Sequence, residues 1–291
     1  MEDTMVLTNV AEVLACPVCT LPLAFQQGAL RCEHAHSFDV AKEGYVNLLR
    51  KKLPGDTKEM VVARRAFFDQ GYYVPVSDLL NGLLQKHLPA GTKGPVRILD
   101  AGCGEGYYLA RLQESLASEY GQLQGLGIDI SKDAIRMAAR RYPDAFFLVA
   151  NLKEALPLAD QVLAGMVNTF APRNVAEYAR VLQPGAPLLI VIPGPRHLEE
   201  LRHSLHLLNI EENKQQHVIE QFSGSFDLVA TRSLTYKLDL QQAEIAQIVV
   251  MTPNYWHQSA ESRTRLAELA ALATTVDFVC LVFQRKLSVT N

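Results

Sequence analysis

Three thiols and an imidazole near the amino terminus are the first groups able to do chemistry. Cys16, Cys19, Cys32 and His36 stand in the spacing C-x2-C-x12-C-x3-H. Zinc takes four such ligands in a tetrahedron, and a C-x2-C turn aims two thiolates at one point. A second pair brought up by a facing hairpin closes the shell and leaves no open position, which is the signature of structural Zn2+. His34 is a competing fourth ligand, and the longer spacing from Cys32 gives His36 more room to turn back. A redox C-x-x-C would need a thioredoxin-like βαβ context, which the flanking residues do not offer.

The second constellation starts at an apolar run, Val96 to Asp100, that enters Ala101-Gly102-Cys103-Gly104-Glu105-Gly106, with a helical stretch from Tyr107. Strand, glycine-rich turn and helix start is how α/β sheets hold nucleotide-like ligands at strand ends. The dinucleotide fingerprint is not met, because its third glycine position is Tyr107. The glycines alternate instead as G-x-G-x-G behind Asp100, the pattern of an S-adenosylmethionine (S-adenosyl-L-methionine, SAM) loop. Asp129 closes the next apolar run, where a carboxylate can accept hydrogen bonds from both ribose hydroxyls. Capping the following helix is the alternative role for Asp129, although Ser131 already offers that cap. Asn151 ends a third run, Ala145 to Ala150, and its amide is placed to read an adenine.

These groups need elements to hold them. A fourth run, Gln161 to Val167, a helix over 175–182, the turn Gln183-Pro184-Gly185 and a strand over 187–192 continue a strand–helix rhythm. That rhythm predicts an α/β protein with a doubly wound, mostly parallel sheet and a ligand site at the carboxyl ends of its strands. Beyond it the pattern predicts a helix over 197–208, a strand over 226–236, helices over 241–250 and 261–270, and a strand over 276–285, the last two strands antiparallel. Ahead of it, short apolar stretches around Gln26-Gln27-Gly28 read as a β-hairpin. So small a module has little core of its own, and metal would supply much of its folding energy. The expected division is a zinc-binding module over 1–50, linker helices over 51–90 and a methyltransferase domain over 91–291.

Hydrophobic residues make up 48% of the 291, enough for a substantial core. No stretch approaches the roughly 20 apolar residues of a membrane span. Met1 to Val10 carries Glu2 and Asp3 and no basic n-region, so a cytoplasmic address is expected. A net charge of −3 is not that of a general nucleic-acid binder. The charge is uneven, however: from Lys42 to Arg65 there are seven basic residues against three acidic ones, a surplus suited equally to phosphate and to a solvated face.

Taken together these residues resemble the RlmA family, methyltransferases of a guanine ring nitrogen in large-subunit ribosomal RNA. The resemblance covers nearly the whole chain. It is carried by the cysteine module, by 37–49 (SFDVAKEGYVNLL), Pro54-Gly55-Asp56, Ala63 to Phe67 and Gly71-Tyr72-Tyr73, and by Asp100 to Tyr108, Ala171-Pro172, Pro193 to His197 and Met251-Thr252-Pro253. The resemblance implies a class I SAM-dependent fold and a hairpin of 23S rRNA as substrate. It implies that Tyr73, the glycine loop (Gly102, Gly104, Glu105, Gly106, Tyr107) and His197 contact the cofactor. It also implies a homodimer and a zinc module that takes part in RNA recognition. A base exposed for methylation can stack on an aromatic ring, and Tyr72, Phe170, Tyr255 and Trp256 are the candidates. The competing readings are a small-molecule methyltransferase of the same core fold and a zinc-dependent RNA-binding protein without activity. Intact glycines and Asp129 speak against the latter.

Overall fold

A computed structural model of the chain describes residues 10–89, 94–207, 210–252, 255 and 259–287. Its centre is an eight-stranded sheet. Five parallel strands form the middle: β5 (Val96–Ala101), β6 (Leu123–Asp129), β7 (Phe146–Val149), β8 (Gly165–Thr169) and β9 (Pro187–Pro193). Helices α3 (Tyr107–Leu116), α4 (Lys132–Arg141) and α5 (Val175–Val181) make the crossovers. Two long strands, β10 (Phe226–Gln241) and β11 (Ala271–Arg285), complete one side. β11 runs antiparallel to both β9 and β10. With the short β4 (Val46–Asn47) at the far edge, the order across the sheet is β10-β11-β9-β8-β5-β6-β7-β4, and the winding reverses between β5 and β8. A ligand crevice opens beyond the carboxyl ends of strands at such a reversal.

Period-two burial shows why the sheet holds helices on both faces. Leu188, Ile190 and Ile192 of β9 enter one apolar cluster, while Leu189 and Val191 enter the other. Each cluster removes a continuous apolar surface from water at roughly 25 cal/mol per Å2. Helices α1 (Lys58–Asp69), α2 (Val74–His87) and α8 (Gln242–Val250) cover one face; α1 is capped by the Thr57 hydroxyl, 3.3 Å from Met60 N–H.

The amino-terminal hairpin strands β1 (Ala24–Gln26), β2 (Ala29–Arg31) and β3 (Ser37–Asp39) form a separate three-stranded sheet. The module is nonetheless built into the main body. Leu14, Leu23, Leu30 and Leu48 share one cluster with sheet residues Leu99, Leu126 and Leu148. Ala15 N–H donates to the Pro157 carbonyl at 3.1 Å. β4 (Val46–Asn47), inside the stretch read as the zinc module, pairs in parallel with β7 as the outermost strand of the large sheet. The boundary expected at residue 50 therefore falls beyond a strand that already belongs to the large sheet.

The later elements follow the expected order with shifted ends. α6 (Glu199–Leu205) is shorter than the helix expected over 197–208, and α9 is Ala260–Glu268. β10 runs past the expected end at 236 and β11 starts ahead of 276, so that their antiparallel pairing reaches Gln241 opposite Ala271. The pattern did not reveal α7 (Lys214–Phe222), a mostly polar helix that buries only Val218 and Phe222. No helix among the described residues is long and apolar enough to cross a membrane.

Candidate cofactor site and metal centre

The ligand atoms of Cys16, Cys19, Cys32 and His36 all lie within 4.8 Å of one another. Cys32 Sγ is 3.3 Å from His36 Nδ1, Cys16 Sγ is 3.5 Å from the same nitrogen, and Cys19 Sγ is 3.6 Å from Cys32 Sγ. Zinc at about 2.3 Å from sulfur and about 2.0 Å from nitrogen needs ligand separations of about 3.5 to 3.8 Å in a tetrahedron. The donor set and its spacing fit that ion. Two tight turns shape it: Thr20 and Ala35, just past the second ligand and just before the fourth, take left-handed backbone. Burial raises the Cys32 thiol, yet hydrogen bonds from the His36 backbone, Cys19 and the His36 ring bring it down to about 7.

The glycine loop crosses the carboxyl end of β5. Gly102 has φ +89°, and a Cβ there would lie 2.2 Å from Ala171 Cβ. Gly106, φ +87°, starts α3 where a side chain would crowd Tyr142 and Phe147. These are positions where left-handed backbone and close approach both demand glycine. Asp129, half-buried at the end of β6, is held by two backbone donors: Gly104 N–H at 2.9 Å and Ser131 N–H at 2.8 Å. Each of its oxygens keeps a lone pair for a further donor, as a ribose clamp requires. Burial raises its pKa, with those two hydrogen bonds opposing. The alternative cap role belongs to Ser131, whose hydroxyl accepts from Ala134 N–H at 3.3 Å.

Asp100 is fully buried and neither of its carboxylate oxygens has a partner among the described residues. Burial and then the charge of Asp129 push it up to about 8. A buried carboxyl with no donor is costly unless a ligand supplies one, and it fits a site for the cationic, hydrogen-bond-donating methionine end of SAM. Tyr73 and His197 converge from other elements. Both rings pack on Phe278 of β11, with centroids 5.4 Å and 4.3 Å away. Asp277 N–H lies 3.4 Å from His197 Nδ1, and burial lowers the imidazole to about 3, so the ring is neutral with Nε2 as its donor.

Three of the expected cofactor contacts, Asn151, Tyr107 and Glu105, have surroundings of their own in the structure. Asn151 uses its amide locally, accepting from Lys153 N–H and donating to Glu154, both at 3.0 Å. Tyr107 turns its ring onto Phe68, 4.6 Å away, beneath the Arg111 guanidinium. It lines a groove of about 800 Å3 along the outer side of α3 rather than joining Asp129. Glu105 is buried with no hydrogen-bond partner for its carboxyl among the described residues; burial raises it to about 7, against the opposing charges of Arg141, Arg65 and Arg64.

Other groups lie in segments that carried the resemblance, or in the Ser131 cap, without a role at the site being assigned to them from the sequence. Arg64 sits beside Gly104, pairs with Asp56 at 2.5 Å and donates to the Met251 carbonyl at 2.9 Å. Ser131 Oγ donates to the Asp56 carbonyl at 2.7 Å, so the 54–57 segment lies across the end of β6. Tyr108 has a buried hydroxyl without a hydrogen-bond partner among the described residues, within electrostatic reach of Tyr73 and Asp100. Only the fold brings these together. Of the stacking candidates, Tyr72 packs at 4.8 Å on Phe67, Tyr255 hydrogen-bonds Glu59 at 2.9 Å, and Trp256 lies outside the described residues. Pro253 also lies outside them.

Two expected results arise from this geometry. Gly102→Ala forces both an unfavourable φ and a 2.2 Å contact; a loss of about 2–4 kcal/mol in stability is expected, read as a drop of roughly 5–10 °C in thermal denaturation. The carboxyls of Asp100 (about 8) and Glu105 (about 7) titrate above their unfolded values. In the ligand-free fold they stay protonated where the unfolded chain is ionised, so their contribution is complete below the unfolded carboxylate pKa and falls as pH rises toward 8. A cation bound beside them favours ionisation. Calorimetry of SAM binding is therefore expected to show tightening from pH 6 to 8, by at most about tenfold per unit, with proton release; affinity flat across that range would refute it.

A glycine loop at the reversal point of a doubly wound sheet, with an acid closing the neighbouring strand, defines a class I SAM-dependent methyltransferase, here carrying a Cys3His zinc ribbon. Residues 14–58 match the family model described as RlmA, N-terminal, and residues 98–185 match a methyltransferase domain. The chain is 42% identical over 267 residues to the 23S rRNA (guanine(748)-N(1))-methyltransferase of Streptomyces fradiae, covering 91% of this chain and 93% of that one. A Micromonospora griseorubida protein provisionally named for 23S rRNA guanine-N(1) methylation is 38% identical, covering 92% and 95%. By contrast, the trans-aconitate 2-methyltransferase of Afipia carboxidovorans is 32% identical over 113 residues, which is 38% of this chain and 42% of that one. The chain belongs to the RlmA-type family of 23S rRNA (guanine-N(1)-)-methyltransferases.

Proposed function

We propose that this protein transfers a methyl group from SAM to N1 of a guanine in a hairpin loop of 23S rRNA. The observation that carries the reading is the union of ribbon and cofactor site in one body, matched to an rRNA methyltransferase along 93% of that relative's length. The small-molecule likeness covers only 38% of this chain.

In this reading Asp129 accepts from the ribose hydroxyls, the glycine loop admits the cofactor's backbone approach, and Asp100, Tyr73 and His197 surround its methionine end. Asn151 borders the adenine, after its amide exchanges the Glu154 contact. Cys16, Cys19, Cys32 and His36 hold zinc. The cofactor supplies an electrophilic methyl on a sulfonium. The chain supplies alignment of that methyl with the base nitrogen and exclusion of water, which together account for much of the acceleration in an in-line displacement. N1 of a neutral guanine carries a proton that must leave, and the target edge must be exposed from pairing.

The ribbon (1–50) serves in RNA recognition, and the helices of 51–90 join it to the domain over 91–291. Lys42, Arg50, Lys51, Lys52 and Lys58 are exposed beside the ribbon, while Arg64 and Arg65 of the same stretch are engaged with Asp56 and Asp69. The exposed set suits phosphates. A cytoplasmic homodimer completes the reading, to be checked by sedimentation. The decisive test is transfer of labelled methyl from SAM to unmethylated 23S rRNA, followed by nucleoside mass spectrometry. The expected product is 1-methylguanosine at one hairpin position. No incorporation into free RNA or ribosomal particles, by protein that binds SAM and zinc, would overturn the proposal.

A further inference from the structure

Phe170 stands out at the carboxyl end of β8. It is 46% exposed, among the few large apolar side chains left in solvent. Its backbone is left-handed, φ +58°, a conformation that a bulky residue rarely takes and that clusters at functional sites. The next residue, Ala171, lies against Gly102 of the cofactor loop. One side of the Phe170 ring is supported by Phe278, with centroids 4.8 Å apart at a tilt of 37°. Phe278 is the ring on which Tyr73 and His197 also pack. Phe170 is thus one ring away from both expected methionine-end contacts, and its free face looks into solvent.

An exposed aromatic would ordinarily lower its free energy by folding into the core beneath it. Here the strained turn holds it outward while Phe278 stiffens it from behind. We propose that Phe170 is the stacking platform for the acceptor base: the guanine leaves its stack, lies on the exposed face of Phe170, and so presents its pairing edge to the glycine-loop side of the crevice. This rests on the methyltransferase reading above and names the group that positions its acceptor. Stacking is tolerant of which base is present, so Phe170 places the base and contributes affinity, and other groups choose guanine.

The test compares Phe170→Ala and Phe170→Trp with the unchanged protein on unmethylated 23S rRNA. Three quantities are measured for each: kcat/KM for RNA, the Kd for SAM and the denaturation midpoint. Base–aromatic stacking predicts that Phe170→Ala lowers kcat/KM by roughly 10- to 100-fold, with SAM affinity and midpoint unchanged, and that Phe170→Trp restores most of the loss. If Phe170→Ala methylates RNA as well as the unchanged protein, or loses SAM affinity in parallel with activity, the stacking role is wrong while the rRNA reading stands. If the unchanged protein itself methylates no 23S rRNA, the functional reading fails and this inference with it.

Discussion

Removing zinc, by chelation or by Cys16→Ala, is expected to destabilise the whole chain and not only its first 40 residues. The four ligands hold a module whose hairpin strands are three residues each. Structural zinc in isolated fingers supplies of order 10 kcal/mol of apparent folding free energy. Here the module also shares a cluster with the large sheet: Cys16, Leu23 and Leu30 touch the same apolar body as Leu99 and Leu148. Its collapse exposes one edge of that cluster, near β4 and the Leu14–Leu158 bridge. An effective loss of about 3–5 kcal/mol corresponds to a fall of roughly 10 °C in the denaturation midpoint. Calorimetry with parallel zinc quantitation checks this. A midpoint unchanged after proven zinc loss would show that the ribbon folds on its apolar contacts alone. SAM binding should persist at low temperature in the zinc-free protein, because no ligand of the cluster reaches the glycine loop, whereas methylation of RNA should not.

Asp129→Ala is expected to have the larger effect on the cofactor. A carboxylate hydrogen bond contributes about 1.5–3 kcal/mol, and a ribose offers two donors, so SAM affinity should fall at least about 100-fold. The fold should survive. The substitution removes two acceptors, from Gly104 and Ser131 N–H, yet it also relieves the burial that raises this carboxyl. Those two N–H groups sit in a half-open crevice where water replaces the lost partner. Asp129→Asn keeps the shape and one acceptor, and should bind SAM between the two. Titration calorimetry together with far-ultraviolet circular dichroism separates the outcomes: tight SAM binding by a folded Asp129→Ala protein would remove Asp129 from the ribose.

Much of this is legible in the sequence itself. Strands β5 to β9 are short, continuous apolar runs closed by turn residues, which is how strands buried on both faces read. The glycine loop, the Asp129 strand end and the Ser131 cap were legible for the same local reason, since each is defined within a few residues. The zinc ligands were legible because a tetrahedron of thiolates and imidazole imposes its own spacing. Polar α7 was not, because it buries only two side chains and so lacks a periodic apolar face.

What the chain alone determined, then, is whatever depends on neighbours in sequence: backbone torsions at Gly102 and Gly106, helix caps, strand periodicity and the ligand spacing. The tertiary structure decided which distant groups share a site. It brought Arg64 from α1 beside Gly104 and set Tyr73, Phe170 and His197 around Phe278 of the last strand. It sent Tyr107 to the outer groove, against Phe68 of α1. The physical reason is that a side chain's direction at an element's end follows from packing against residues 30 to 200 positions away, and local propensity carries no record of those contacts.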